Sequence, residues 1–198
     1  MSIRLGITGG IASGKSYVSQ MLRDRWHIPV YDSDSQAKRL NQENEAIRNA
    51  LISLVGRQVY DDQGRLNKPL LASYLFASPL HACQVNSIIH PVVRDDFRAW
   101  ALSQTSPVIG FESAILYESG FDGEVDYVLY VDAPRELRIR RAMNRDASTR
   151  TQVLERMARQ EADAYRSRAD WVVNNDESDP SVLQASLEEV MQKLHYNA

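Results

Sequence analysis

Eight residues near the start of the chain, Gly9-Gly10-Ile11-Ala12-Ser13-Gly14-Lys15-Ser16, follow the pattern G-x-x-x-x-G-K-[ST], whose spacing suits phosphate. Glycines let the backbone turn its N–H groups inward around a β-phosphate, and a helix opening near Gly14 adds the positive end of its dipole. Lys15 would reach the β- and γ-phosphates, and Ser16 would offer its hydroxyl to a magnesium ion bridging them. With ordinary residue frequencies, a chance match somewhere in a chain of this length is on the order of one in a hundred. The competing reading is a glycine turn with a solvated lysine.

Two further groups have chemistry to offer. Asp32-Ser33-Asp34 sits where a second strand ends, and its alternation points the two carboxylates to different partners. One of them would accept a proton from an acceptor hydroxyl. Equally, Ser33 or Asp34 would cap a helix starting at Gln36, a contribution of about 1 kcal/mol. The segment from Pro134 to Arg168 holds ten arginines, among them Arg138, Arg141, Arg145, Arg150, Arg156 and Arg166, and no lysine. It reads either as a phosphate clamp of guanidinium forks or as a solvated helix laced with (i, i+4) ion pairs to Glu136, Asp146, Glu155, Glu161 and Asp163.

These residues need elements to position them. Ile3 to Thr8 alternates apolar residues, stops at Gly9-Gly10, and gives way to helical spacing at Val18, Met21 and Leu22, so strand, glycine turn and helix follow in order. Ile28 to Tyr31, Val108 to Phe111, Tyr127 to Val131 and Trp171 to Val173 are short apolar runs, typical of strands buried on both faces. The expected architecture is α/β, a parallel sheet of about five strands flanked by helices, with ligands beyond the carboxyl ends of the strands. A mainly helical insertion runs from roughly Asp34 to Ser106. Pro69 to Val93 lacks any charged Asp, Glu, Lys or Arg, but Pro79 and Pro91 break it and its polar groups are too many for lipid. It reads as packed helical pieces.

Composition narrows the function. A chain of 198 residues, 43% hydrophobic and 25% charged, with mean hydropathy −0.40, has the makeup of one globular core with appendages. Its 23 Lys and Arg against 26 Asp and Glu leave a net charge of −3, so no global positive field recruits nucleic acid or an anionic membrane. Cys83 is the one cysteine and no secretory signal precedes the first strand, which points to the cytoplasm. A GTPase is disfavoured. Asp61-x-x-Gly64 lies among turn residues, and Asn67-Lys68-Pro69-Leu70 lacks the aspartate that reads guanine. A motor ATPase needs more chain, whereas a small-molecule kinase fits the length.

The opening Gly6 to Ser16 and Val30-Tyr31-Asp32-Ser33-Asp34 resemble bacterial dephospho-coenzyme A kinase. So do Asp62-Gln63-Gly64-Arg65-Leu66-Asn67, Asn86-Ser87-Ile88-Ile89-His90-Pro91, Leu116-Tyr117-Glu118-Ser119-Gly120, Arg141-Ala142-Met143-Asn144-Arg145 and Ala169-Asp170 with Asn175. The resemblance spans nearly the whole chain. It implies the P-loop nucleotide fold and transfer of phosphate from ATP, with magnesium, to the ribose 3′-hydroxyl of dephospho-coenzyme A, the last step of coenzyme A synthesis. It also implies a nucleotide-binding core (1–33, 107–137 and 169–198), a helical acceptor-binding domain (34–106) and a lid (138–168). A kinase for another small metabolite, or a nucleotide-binding regulator without catalysis, are the competing functions. The expected partners are ATP and dephospho-coenzyme A, without nucleic acid or membrane, in a monomer or weak homo-oligomer.

Position by position, the resemblance gives Gly10, Ile11, Ala12, Ser13, Gly14, Lys15 and Ser16 to the ATP loop, and Asp34 to the general base. Thr8, Asp32 and His90 fall near the acceptor, Arg141 and Arg145 on a lid face toward the phosphates, and Asn175 beside the adenine. Lys15, Asp34 and Arg141 are then the residues that act on the transfer. Asn175 has a plainer reading as a strand-ending turn residue, and His90 as a capping or packing residue. The chain departs from the family pattern mildly: Glu112 and Ala114 replace Asp and Pro, Lys68 replaces Arg, and Ala12 replaces a loop glycine. Glu112 keeps a carboxylate where metal-bound water is anchored, and Ala12 requires a backbone that avoids positive φ.

Overall fold

The computed structural model describes residues 2–160, 162–176 and 179–194. Along the chain come β1 (Ile3–Thr8), α1 (Lys15–Trp26), β2 (Val30–Asp32), α2 (Ser33–Glu43), α3 (Glu45–Val55), α4 (Lys68–Ala77) and α5 (Pro79–Leu102). Then follow β3 (Val108–Glu112), β4 (Tyr127–Asp132), α6 (Arg135–Asp146), α7 (Arg150–Ala158), β5 (Trp171–Asn174) and α8 (Pro180–Lys193). The chain forms two compact units, Met1–Asp32 with Ser103–Ala198, and Ser33–Leu102. The segments expected as core, Ser33 apart, and as lid fall in the first unit, as do residues 103–106 of the expected acceptor domain. Met1, Glu161, 177–178 and 195–198, which the expected bounds and charge pattern included, lie outside the described residues.

In the first unit the five strands are all parallel, in the order β2-β3-β1-β4-β5. β1 therefore has a partner on each side, and the loop that follows Thr8 leaves the middle of the sheet. Its inward residues Leu5 and Ile7 pack with Leu129, Val131 and Val173. Helix α1 adds Val18 and Leu22, and α8 adds Leu183, Leu187, Val190 and Met191, a helical stripe that closes this part of the core. Each such aliphatic side chain contributes about 1.5–3 kcal/mol on burial. The register pairs Asp32 with Glu112 and Ile7 with Glu112. Thr8, Asp32, Glu112 and Asp132 thus end their strands at one edge of the sheet, where ligands collect in open α/β folds.

The basic segment is held by ion pairs that reach between elements. Arg138 pairs with Asp163, Arg150 with Glu136, Arg156 with Asp146, Arg166 with Asp132 and Arg168 with Asp122. The acidic partners come mostly from other elements, because α6 and α7 are short and the chain folds back between them. Instead of the single solvated helix expected, the segment holds two short helices joined by ion pairs between them.

The second unit is helical. Its longest helix, α5, runs through Pro91, so the expected break is absent. Val85, Ile89, Val93, Phe97 and Ala101 recur at four-residue steps and are all buried, which keeps the helix in one piece. Pro91 removes the donor that would meet the Ser87 carbonyl; both residues are exposed, which leaves that carbonyl accessible to solvent. His90 is consequently an interior helix residue and not a cap. Helix α2 begins at Ser33, immediately after β2, so the cap expected for a helix starting at Gln36 is also corrected: Asp34 lies in the first turn, where its charge complements the helix dipole.

The motif from Asp62 to Asn67 closes a tight turn. The Asp61 carboxylate accepts from the Gln63 and Arg65 N–H groups, and Gln42 bonds the Gly64 carbonyl and the Leu66 N–H at 2.6 and 3.1 Å. Asn67 then caps α4 by accepting from Leu70. Among the described residues no helix is long and apolar enough to cross a membrane.

Candidate nucleotide site

The phosphate loop turns at two glycines with φ of 147° (Gly9) and 102° (Gly14). A side chain at Gly9 would meet the Val131 carbonyl, and one at Gly14 would meet the Asn175 amide. Space and backbone therefore both require glycine. The loop closes on itself through Ser13 N–H to the Gly10 carbonyl at 3.1 Å, and α1 starts with Val18 N–H to the Gly14 carbonyl at 3.0 Å. Ala12 has φ of 57°. This overturns the expectation that an alanine there keeps φ negative; the loop's shape imposes the left-handed conformation, at about 1–2 kcal/mol. Its methyl group packs against Ile139, Ala142 and Val153, which offsets part of that strain.

Lys15 folds over the loop, donating to the carbonyls of Gly9 and Gly10 at 2.9 and 3.2 Å. Ser16, in the first turn of α1, donates to Glu112 Oε1 at 2.7 Å. Glu112 is buried, and with its hydroxyl hydrogen so committed, Ser16 keeps oxygen lone pairs for another partner. Thr8 is buried and Asp32 half-buried.

Arg141 and Arg145 share helix α6 but part company. Arg141 donates to the Ser13 carbonyl at 3.2 Å, to Ala12 at 3.5 Å, and to the Asn175 carbonyl at 3.0 Å. Arg145 is exposed and pairs with neighbouring Asp146 at 2.7 Å. That guanidinium, with Arg156 beyond it, holds the Asp146 carboxyl down at about 2. Asn175 is buried, donates its side-chain amide to Ser13 at 2.9 Å and takes its own N–H to Asp132 at 2.8 Å. It directly follows the last residue of β5, Asn174, and it also latches the loop.

Residues that sequence reasoning missed adjoin these. A cavity of about 400 Å³ is lined by Gly14, Tyr17, Arg141, Asn175, Asp179 and Leu183, among others. Tyr17 lies three residues beyond Gly14, a helical spacing that would have flagged it. Arg138, counted before only as one arginine among many, is buried with its guanidinium against Gly10. Asp163 grips it with two bonds, of 2.6 and 3.0 Å, and accepts from the Tyr130 hydroxyl at 3.0 Å. Arg138 accordingly depresses the Asp163 carboxyl, while burial raises the Tyr130 hydroxyl.

Asp34 and His90 belong to the second unit. Asp34 is exposed in the first turn of α2. His90 is half-buried, and burial, followed by the Arg94 charge, lowers its proton affinity.

A parallel sheet in this order, with a phosphate loop leaving its central strand and opening a helix, defines a P-loop kinase. Residues 3–180 match the model of the family described as dephospho-CoA kinase. A relative named dephospho-CoA kinase, from Bacteroides fragilis (strain YCH46), is 46% identical across 99% of this chain and 97% of its own. The crystal structure of TT1252 from Thermus thermophilus superposes with a TM-score of 0.83 at 34% identity, covering 98% of each chain. A dephospho-CoA kinase from Campylobacter jejuni shares the fold, with a TM-score of 0.71 at 19% identity and full coverage of both chains (100%). The chain belongs to the dephospho-CoA kinase family.

Proposed function

We propose that this protein transfers the terminal phosphate of ATP to the ribose 3′-hydroxyl of dephospho-coenzyme A, giving coenzyme A and ADP as the final step of coenzyme A synthesis. The observation that carries this most directly is the phosphate loop on the central strand, with Ser16 bonded to a buried strand-end carboxylate, Glu112, at 2.7 Å. Such a pair of hard oxygen donors fits magnesium, which is bound by one or two protein oxygens together with substrate phosphates rather than by an all-protein cage. Bound there, magnesium would neutralise charge on the transferring phosphate. Ser16 would hold it, with Glu112 orienting the serine and the metal's water.

The other roles follow from position. The loop Gly10, Ile11, Ala12, Ser13 and Gly14 would cradle the phosphates, although here the Ile11 N–H is taken by Gln160 and the Ser13 N–H by the Gly10 carbonyl. Lys15, resting on Gly9 and Gly10 carbonyls, would swing its ammonium to the β- and γ-phosphates. Arg141, already against the loop, would stabilise the charge of transfer, and Arg145 would exchange Asp146 for phosphate as the 138–168 lid settles. Asn175 and the cavity beside Gly14 would take the adenine. Asp34, in the 34–106 acceptor domain, would receive the proton of the attacking hydroxyl, and Thr8 and Asp32 of the core and His90 of that domain would hold the acceptor. We assign the enzyme to the cytoplasm, as a monomer or weak homo-oligomer with neither nucleic-acid nor membrane partner.

The contacts that a pyrophosphate and pantetheine arm make far from the reacting hydroxyl serve to position it. Adenosine and AMP should therefore react at least about 10²-fold less efficiently than dephospho-coenzyme A, roughly 2.7 kcal/mol of transition-state binding. A coupled ADP-release assay gives kcat/KM for the three acceptors, and phosphorus NMR locates the new phosphate. Equal efficiencies would favour a kinase of another metabolite, and no ADP release with any acceptor would favour a regulator.

A further inference from the structure

Gln160, at the end of the turn after α7, reaches the phosphate loop from outside. Its side-chain oxygen accepts from Ile11 N–H at 3.0 Å, and its side-chain nitrogen donates to the Ala114 carbonyl at 2.5 Å. The two partners determine which way the amide faces, since an N–H can only donate and a carbonyl only accept. The side chain thereby spans from the loop tip to the segment following β3.

The bond to Ile11 acts on more than Ile11. Its N–H and the Gly10 carbonyl are opposite ends of one planar trans peptide, so holding one aims the other. That carbonyl accepts from Ser13 N–H at 3.1 Å and from the Lys15 ammonium at 3.2 Å. Gly10, lacking a Cβ, offers little resistance to rotation of this peptide. A second strut arrives three residues on from Gln160: Asp163 holds Arg138, and the Arg138 guanidinium lies against Gly10 itself. Residues 160 and 163 thus brace adjoining positions of the loop.

We propose that Gln160 is a positioning residue for nucleotide phosphate: it sets the Gly10–Ile11 peptide, and through it the loop closure and the resting place of Lys15. The proposal rests on the loop binding ATP and ADP, but not on the identity of the acceptor. Gln160 does not line the cavity beside Gly14, so its effect is confined to ligands that carry phosphate at the loop.

The test uses Gln160→Met, which keeps length but loses both polar atoms, and Gln160→Asn, which keeps polarity but is too short to span both partners. Calorimetry with ADP and with adenosine, and amide exchange at Ile11 with Val18 as reference, are measured on the full chain. Both variants should bind ADP about tenfold more weakly and adenosine within about twofold of the parent, with Ile11 exchange at least about tenfold faster. A merely structural role would weaken both ligands together. ADP affinity within twofold of the parent, an equal loss for adenosine, or unchanged exchange at Ile11 would overturn the proposal. Wild-type turnover with dephospho-coenzyme A reports separately on the acceptor, so failure of that reading leaves this result standing.

Discussion

Ser16 and Glu112 lie 2.7 Å apart, one opening α1 and the other ending β3. The bond orients an exposed hydroxyl by means of a buried charge. Glu112→Gln retains size and an acceptor for Ser16 but removes that charge. It should fold normally, lose about 10² in kcat, roughly 2.7 kcal/mol, and need at least about tenfold more magnesium for half-maximal rate. Magnesium titrations of turnover beside thermal melts check this; an unchanged magnesium requirement would remove Glu112 from the site.

Lys15 donates to the loop carbonyls of Gly9 and Gly10, and its removal should leave the sheet intact. Lys15→Ala should remain folded and lose at least about 10² in turnover, consistent with about 3 kcal/mol for charge stabilisation in a dry site. Near-normal turnover in a well-folded variant would sink the assignment.

Ala12 gives a backbone test. At φ of 57°, Ala12→Gly should preserve stability to within about 1 kcal/mol, since relief of strain is offset by chain entropy and a lost methyl contact. Ala12→Val should lower stability by about 2 kcal/mol, because a β-branched residue fits that region poorly. Urea midpoints decide between this and a loop indifferent to residue type.

Asp34→Asn keeps shape but cannot take a proton. The expected loss in kcat is about 10², the lower part of the range for base catalysis, since a loose transition state needs little early proton removal. Acceptor KM should stay within about threefold. A large rise in acceptor KM with kcat intact would make Asp34 a binding residue.

His90 should leave a mark on pH stability. The unfolded imidazole takes a proton near 6.5, while burial lowers the folded value. Its contribution is therefore full above pH 6.5 and is lost as pH falls through the folded pKa. Melts from pH 7.5 to 5 should show a smaller decline for His90→Gln than for the parent; parallel declines would contradict this.

Much of the site was legible because it is local. Strand, glycine loop and helix from Ile3 to Trp26 are contiguous, and alternation followed by G-x-x-x-x-G-K-S specifies both their order and their chemistry. Likewise the short β-branched runs marked β3, β4 and β5. What escaped depends on tertiary context. Pro91 looked like a helix break because its exposed setting, and the buried stripe beneath it, are properties of the folded unit. Ala12 adopts positive φ under the demands of a loop pinned at both ends. Gln160 and Arg138 meet the loop from some 130 to 150 residues away, and no pattern of spacing announces such partners.

From the end of β2 to the start of β3 the chain makes one crossover between neighbouring parallel strands, and the whole Ser33–Leu102 unit is contained in that crossover. The pairing of Asp32 with Glu112 is set by the strands alone. In evolutionary terms this separates two inheritances. Substitutions, insertions and deletions between residues 33 and 102 alter that one connection and leave the strand register and the phosphate loop in place.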